Sequence, residues 1–572
     1  MAGGKIVQAN ARDVSHVFHR FRLTYAVFFA LLIFVCAGFT ASASWVLLLF
    51  QSGGENIGGP NTQRLLIKAI FFSALFVSSV ATLLLLRRRM PTLPSLRPAR
   101  KAAWNQQMLL PISIVIALVT LSSTLRLPMY PHIEPDETHH LIVARNVAMH
   151  GVYGSGMPAT GFRPFDDYDS VGPTVLLPVA ASILCLGNPF HAGRLAMAVF
   201  YLALTFIAFS FLAQTVSANA AALGAAFMLF APGSLYLART LYGEAPALMY
   251  LLAAMIVWGR ALDSAKPLLL CSIAGLLFGC ALVTKYVLVL AAWPGLGMWY
   301  YDFLTHRRIR MVHALTPAGV ALCVLASWVT ITSVFGPQGS ETAEGHLAMY
   351  QHNLLFGLDP LSDTLAWLAE HWIAAVLFLC LGLISASIMA MLTTYNPAWL
   401  FLALFGLFNT YWWVFFTTAN HPRYLWYSFA IGALFAGTIC ANGFRMLKVV
   451  PGNGRWIGLA LSLLMITLAA WNSFPRFRAM LTTDKMRDER KLLYTLAHDY
   501  PGKKLATTFY PAERIVNLFA ELSISRVTVK DDWTVFDVVI LDQTSQSGLI
   551  TPDTPIKSVG RYAIIEPAKE QR

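Results

Sequence analysis

The stretch Pro131-His-Ile-Glu-Pro-Asp-Glu-Thr-His-His140 gathers three carboxylates and three histidines within ten residues. Asp136 and Glu137 stand side by side, just after one apolar run. A carboxylate at the water boundary of a membrane can act as a general base on a hydroxyl. The same groups can instead serve local structure. Pro135 disfavours helical geometry at Glu134 and suits a helix starting just after it, which puts Asp136 at an N-cap and Glu137 near the positive helix end. Over 138–150, Leu141, Ala144, Val147 and Ala148 share one stripe, as in a helix lying on a bilayer, and Gly151 closes it. His132, His139, His140 and His150 could hold a metal, but they lack recurring ligand spacing, so no metal or other cofactor is expected.

Further polar groups stand at the ends of apolar runs. Glu244 lies in Leu237-Ala-Arg-Thr-Leu-Tyr-Gly-Glu-Ala-Pro246. Lys285 ends one apolar run, with Tyr286 and another run directly after it. It reads either as a snorkelling lysine with its ammonium in water or as a point-charge partner for a phosphate. Arg423, in His421-Pro-Arg-Tyr424, reads as a topology charge or as the bidentate form of the same phosphate contact. Arg145, Arg163, Arg194 and Arg239 are weaker candidates.

What must position these groups is a set of membrane spans. The chain is 57% apolar and 12% charged, with mean hydropathy +0.58. That excludes an ordinary soluble enzyme, a disordered chain and a nucleic-acid binder. Apolar segments at about 22–50, 65–86, 108–126, 191–215, 218–238, 244–260, 267–284, 287–303, 311–335, 365–390, 397–416, 424–443 and 456–474 predict about thirteen spans. The run 171–187 contains Pro173 and Pro178 and reads as a lipid-hugging or re-entrant helix. The first run is too long for a cleaved signal and reads as a retained span. The net charge of +13 sits in short loops with Arg87, Arg88, Arg89, Arg260, Lys266, Arg307 and Arg308, which places those loops inside. Long, carboxylate-rich loops 127–190 and 336–364 then face outside, together with Asp136, Glu137, Glu244, Lys285 and His421–Tyr424. The seven cysteines lie singly in apolar runs and read as inert thiols.

From about 475 the composition turns polar. A helix over 485–499 stops at Pro501-Gly502, and strand-like Lys504–Phe509, Arg526–Lys530, Val538–Leu541 and Arg561–Ile565 alternate with a helix from Pro511. The expected organisation is two extra N-terminal spans and a cytoplasmic loop over 1–107, a membrane core over 108–474, and a small α/β domain over 475–572 on the outer face.

In order along 108–474, the motifs resemble the GT-C glycosyltransferases, in particular the protein O-mannosyltransferases and the lipid A aminoarabinose transferases. Those motifs are the Asp136-Glu137 pair after a span, the helix ending in Gly151-Val-Tyr153, and Phe162-Arg-Pro-Phe-Asp-Asp-Tyr-Asp-Ser-Val-Gly-Pro173. Leu186-Gly187 with Arg194-Leu195, Glu244, Gly279-Cys-Ala-Leu-Val-Thr-Lys285 and Arg423-Tyr424 follow. The sequence departs from that pattern in its two extra N-terminal spans, in Glu244 where Asp is commoner, and in Gly172-Pro173 where Lys-Pro or Pro-Pro stands.

The resemblance implies a multi-pass inner-membrane enzyme that moves a sugar, with inversion, from a polyprenyl-phosphate donor to a hydroxyl or phosphate group of an acceptor at the periplasmic face. A glycolipid of the lipid A or core type is favoured over a protein as acceptor. It further implies Asp136 as base, Glu137 and Glu244 as positioning carboxylates, and Lys285, Arg423 and Tyr424 around the donor phosphate. Arg145, Arg163, Arg239 and His421 are weaker substrate contacts. Two other classes compete: a transporter or flippase of lipid-linked sugars, which would favour charges near the bilayer midplane, and a non-catalytic assembly factor.

Overall fold

The computed structural model describes residues 23–45, 60–89, 109–127, 129, 131, 133–157, 161–164, 171–335, 361–387, 396–416, 422–449, 454–507, 524–526, 535–542 and 556–567. Two N-terminal helices, α1 (Leu23–Trp45) and α2 (Pro60–Arg89), precede α3 (Leu109–Thr124). Then come α4 (Pro135–His150), a hairpin of β1 (Gly154–Met157) and β2 (Gly161–Pro164), and α5 (Pro173–Leu186). The bundle continues with α6 (Pro189–Thr215), α7 (Ala218–Phe230), the single turn α8 (Ser234–Leu237), α9 (Glu244–Ala261) and α10 (Pro267–Thr284). A tight turn over Tyr286–Ala291 leads to α11 (Ala292–Thr305) and α12 (Met311–Phe335). The later helices are α13 (Leu361–Glu370), α14 (Trp372–Ser387, π-helical over Ala375–Ile384), α15 (Pro397–Phe416), α16 (Trp426–Val449) and α17 (Gly454–Thr482).

Among the described residues eight helices are long and apolar enough to cross a membrane. The chain is therefore a multi-pass helical membrane protein. Of the remaining expected spans, 108–126 and 365–390 form shorter apolar helices. The run 218–238 is broken: Ala231 is extended (ψ 141°) before Pro232, and Gly233 is left-handed (φ 85°), so α7 stops at Phe230. A residue before proline is driven out of helical geometry, and here that outweighs the apolar pattern. In α5, 14 residues at about 1.5 Å each span roughly 21 Å, short of the ~30 Å hydrocarbon core.

Helix α4 differs from its expected interfacial role. Every residue from Glu137 to Asn146 is buried, not one stripe alone. Leu141, Ala144, Val175, Val179, Phe190 and Met197 share an apolar cluster, so α4 is covered by α5 and α6 rather than by lipid. The hairpin, which the sequence did not announce, folds back on α4. Asn146 donates through Nδ2 to the carbonyls of Gly154 and Gly156 at 2.9 and 3.0 Å.

Beyond α17, helix α18 (Arg487–Asp499) and five short strands form a separate α/β unit. They are β3 (Leu505–Thr507), β4 (Ile524–Arg526), β5 (Val538–Asp542), β6 (Ile556–Val559) and β7 (Tyr562–Ile565), in the order β4-β3-β5-β7-β6. β3 pairs parallel with β4 and β5, while β7 runs antiparallel to β5 and β6. β6 escaped the sequence reading because three of its four residues are exposed, leaving no apolar alternation. The helix expected from Pro511 lies outside the described residues, as does most of the loop 336–364. Met486 and Leu493 pack with Ile133 and Leu141, and the Lys485 N–H donates to the Met129 carbonyl at 2.9 Å. The α/β unit and the start of α4 thus share one end of the bundle.

Candidate active site

Glu134, extended at φ −100° and ψ 155°, is the N-cap of α4 and makes no side-chain capping bond. Pro135 takes the first helical position, where a fixed φ and a missing N–H cost nothing, so Asp136 moves into the first turn. The expected capping role of Asp136 is therefore not the observed one. Its carboxylate accepts a hydrogen bond from Arg423 Nη1 at 2.8 Å, and its side chain stays 47% exposed. Burial alone would raise the Asp136 carboxyl. The hydrogen bond and charge of Arg423 outweigh it and hold the group below the ordinary carboxylate range.

Glu137 points elsewhere. Fully buried, it accepts from Arg194 Nε and Nη2 at 3.0 and 2.9 Å, a bidentate pair, while Arg194 Nη1 donates to the Leu127 carbonyl. Burial, opposed by Arg194, pushes the Glu137 carboxyl above its usual value. This clamp ties α4 to α6. The geometry gives Glu137 a structural task in place of the expected contact with substrate.

Gly243 holds φ at +81°, a conformation open to glycine, and sets Glu244 at the start of α9. Glu244 is fully buried, and Lys285 Nζ lies 3.4 Å from its Oε1. Lys285 follows α10 in an extended conformation and is only 3% exposed, so its ammonium does not end in water as expected. Gly172 explains how this corner is held. A Cβ there would fall 2.0 Å from the Val283 carbonyl oxygen, so only glycine permits the approach. Its N–H donates to the Thr284 carbonyl, and Thr174 Oγ1 and Thr284 Oγ1 are hydrogen-bonded at 2.6 Å. The departure at Gly172-Pro173 therefore has a packing reason.

Arg423 and Tyr424 join these two pairs. The Arg423 guanidinium stacks over the rings of Tyr242 and Tyr424, 4.6 and 5.2 Å from their centroids. Lys285 Nζ sits 6.0 Å from the centroid of Tyr424, and Glu244 is within electrostatic reach of Arg423. Asp136–Arg423 and Glu244–Lys285 are thus two ion pairs joined through the Tyr424 ring, which both cations face.

A cavity of about 540 Å³ opens against the Asp136–Arg423 pair. Glu134, Asp136, Tyr236, Tyr242 and Arg423 line it, while Glu137, Glu244 and Lys285 do not. Trp367, His371, Trp426 and Arg476 also line it, and sequence reading missed all four. The rings of Trp367 and His371 stack at 4.2 Å, with His371 Nδ1 donating to the Trp367 carbonyl at 3.1 Å. Their only trace in sequence is an i, i+4 aromatic pair opening an apolar run, and an arginine just past another.

Among the weaker candidates, Arg239 is buried and donates to the carbonyls of Ser122 and Leu125, closing the end of α3. Arg145 is buried within α4 and does not line the cavity. The side chain of Arg163 and all of His421 and His132 lie outside the described residues. His140 Nδ1 donates to the Leu241 carbonyl at 2.6 Å. Among the described residues no cluster of three or more His, Cys, Asp or Glu could hold a metal ion. A second cavity of about 450 Å³, between α10, α11 and α12, is apolar, with His313 its sole titratable lining residue.

No family model and no curated protein matches the sequence. Solved structures do resemble it. ArnT from Cupriavidus metallidurans in the apo state overlays with TM-score 0.56 over 80% of this chain and 98% of its own, at 14% identity. The same protein bound to undecaprenyl phosphate gives 0.56 over the same shares at 15% identity. The fold is of the GT-C type. Archaeal oligosaccharyltransferase AglB from Archaeoglobus fulgidus overlays with TM-score 0.47 at 10% identity, over 76% of this chain and 69% of its own. The likeness to ArnT extends over four-fifths of the chain and is one of fold.

Proposed function

We propose that the chain is a membrane glycosyltransferase that takes a sugar from a polyprenyl-phosphate donor. The observation that carries this is the Asp136–Arg423 pair at the wall of a large cavity in a GT-C bundle. In the reaction, an acceptor hydroxyl attacks the anomeric carbon and gives its proton to Asp136. The bond from that carbon to the phosphate oxygen breaks, and the polyprenyl phosphate leaves with the electron pair. Arg423 neutralises the departing phosphate, a task suited to a preorganised guanidinium held by two tyrosine rings. As Arg423 turns to the phosphate, its hold on Asp136 weakens and the carboxylate becomes a stronger base. Lys285 acts from behind: by neutralising Glu244 it leaves the charge of Arg423 available. Tyr424 orients the guanidinium, and Trp367, His371 and Arg476 face the sugar or acceptor.

A single displacement of this kind inverts the anomeric centre. The acceptor is a glycolipid of the lipid A or core type in preference to a protein. The full membrane portion has about thirteen spans, with 1–107 adding two to a core at 108–474 and 475–572 forming an outer-face domain. The protein resides in the inner membrane with its cavity periplasmic, since its basic loops mark the opposite side. A transporter is disfavoured because Asp136, Glu244, Lys285 and Arg423 all stand at element ends rather than mid-span. Mass spectrometry of lipid retained by the purified protein should find a polyprenyl-phosphate sugar. Recovery of bulk phospholipid alone, even after incubation with a membrane lipid extract, would overturn the reading.

A further inference from the structure

The C-terminal unit carries a pocket of its own, separate from the cavity beside Asp136. Arg487, Arg490, Lys491 and Tyr494 fall three or four residues apart along α18 and share one helix face. β6 brings Lys557 and Ser558 against that face, and together they line an open pocket of about 480 Å³. Arg490 is paired with Asp484 and Lys557 with Asp499, while Asp488 lies against Gly560. Arg487 and Lys491 have no ion-pair partner among the described residues, and both are exposed. Tyr494 presents its ring 72% exposed, stacked on His498 with centroids 5.7 Å apart.

We propose that this pocket binds a phosphorylated saccharide headgroup. Two guanidinium and two ammonium groups converge on a concavity, and unsatisfied arginine and lysine side chains in such a place favour phosphate oxygens. With Arg490 and Lys557 held by Asp484 and Asp499, Arg487 and Lys491 are the two cations open to a ligand, and each can take a separate anionic group. The exposed face of Tyr494 adds an amphipathic platform for the C–H side of a sugar ring. Helix α18 follows directly on α17, and its residue Leu493 packs with Ile133 and Leu141 at the end of the bundle where Asp136 stands. The pocket therefore meets molecules on the same side as the cavity, and its binding does not depend on the transferase reading.

Glucose 1,6-bisphosphate, titrated calorimetrically into the full-length protein in detergent, tests this. Binding should fall about tenfold or more in Arg487→Gln/Lys491→Gln, as expected for loss of two charge-assisted contacts. Tyr494→Ala should weaken the bisphosphate but leave inorganic phosphate unchanged, and glucose should not bind. Asp136→Asn should bind normally, which separates this pocket from the cavity and from any failure of the transferase proposal. Circular dichroism melts should match for all variants, since the altered side chains are at the surface. Any of three results overturns the proposal: no bisphosphate binding by the unaltered protein, equal affinity in the Arg487/Lys491 variant, or loss of binding in Asp136→Asn. Inorganic phosphate binding as tightly as the bisphosphate, indifferent to Tyr494, would make this an anion site only and overturn the saccharide assignment.

Discussion

At Asp136, replacement by Asn keeps the shape of the side chain and an oxygen for Arg423 while removing the proton acceptor. Sugar transfer should fall on the order of 100-fold or more with the thermal midpoint little changed, because the residue is half-exposed. A transfer assay with full activity in Asp136→Asn would leave this carboxylate as a tether for Arg423 and nothing more. Lys285 belongs to a different regime. Its partner Glu244 is fully buried, so Lys285→Gln strands an uncompensated carboxylate and should cost about 3–5 kcal/mol of stability. Glu244→Gln/Lys285→Gln removes both charges and should recover much of that loss. Equal thermal destabilisation in the single and double variants would show that the two groups are not coupled.

Helix α4 is the element on which the site depends, and three contacts set its position: the Glu137–Arg194 clamp, the hairpin on Asn146, and His140 on the Leu241 carbonyl. Burial, then His139 and Lys285, push the His140 imidazole well below its usual value of 6.5. The folded protein therefore keeps His140 neutral where the unfolded chain takes up a proton. Stability contributed by this group is complete above about pH 6.5 and is lost as pH falls below it, by about 1.4 kcal/mol per pH unit. The melting temperature should drop between pH 7.5 and 5.5, and His140→Gln should flatten that slope. Identical slopes in the two proteins would assign the acid sensitivity to other groups.

For the whole molecule, the decisive quantity is which end of the bundle faces outward. Lys503 is exposed in the α/β unit and Ala265 is exposed in the short loop between α9 and α10. In a background without the native cysteines, Lys503→Cys should react with an impermeant maleimide added outside intact cells permeable only at the outer membrane. Ala265→Cys should react only after lysis. The reverse pattern would place the Asp136 cavity in the cytoplasm and remove the periplasmic assignment, though not the geometry of the site.

The class of the molecule was legible in sequence because a bilayer makes local demands. Each span must satisfy its own backbone and present apolar side chains over about 20 residues, so the runs and the charges between them report themselves. The motif positions of Asp136, Glu244, Lys285 and Arg423 were legible for the same reason, as polar groups at the ends of such runs. Their pairing was not. Asp136 meets Arg423 across 287 positions, and Glu137 meets Arg194 across 57. Hydropathy shows that a face is apolar without showing which helix it meets, so two adjacent carboxylates could not be told apart as cavity wall and buried clamp. The same limit hid Trp367, His371 and Arg476, drawn to one cavity from α13, the α13–α14 junction and α17. Those assignments arise only when packing decides which helix ends converge and which side chains are left without water.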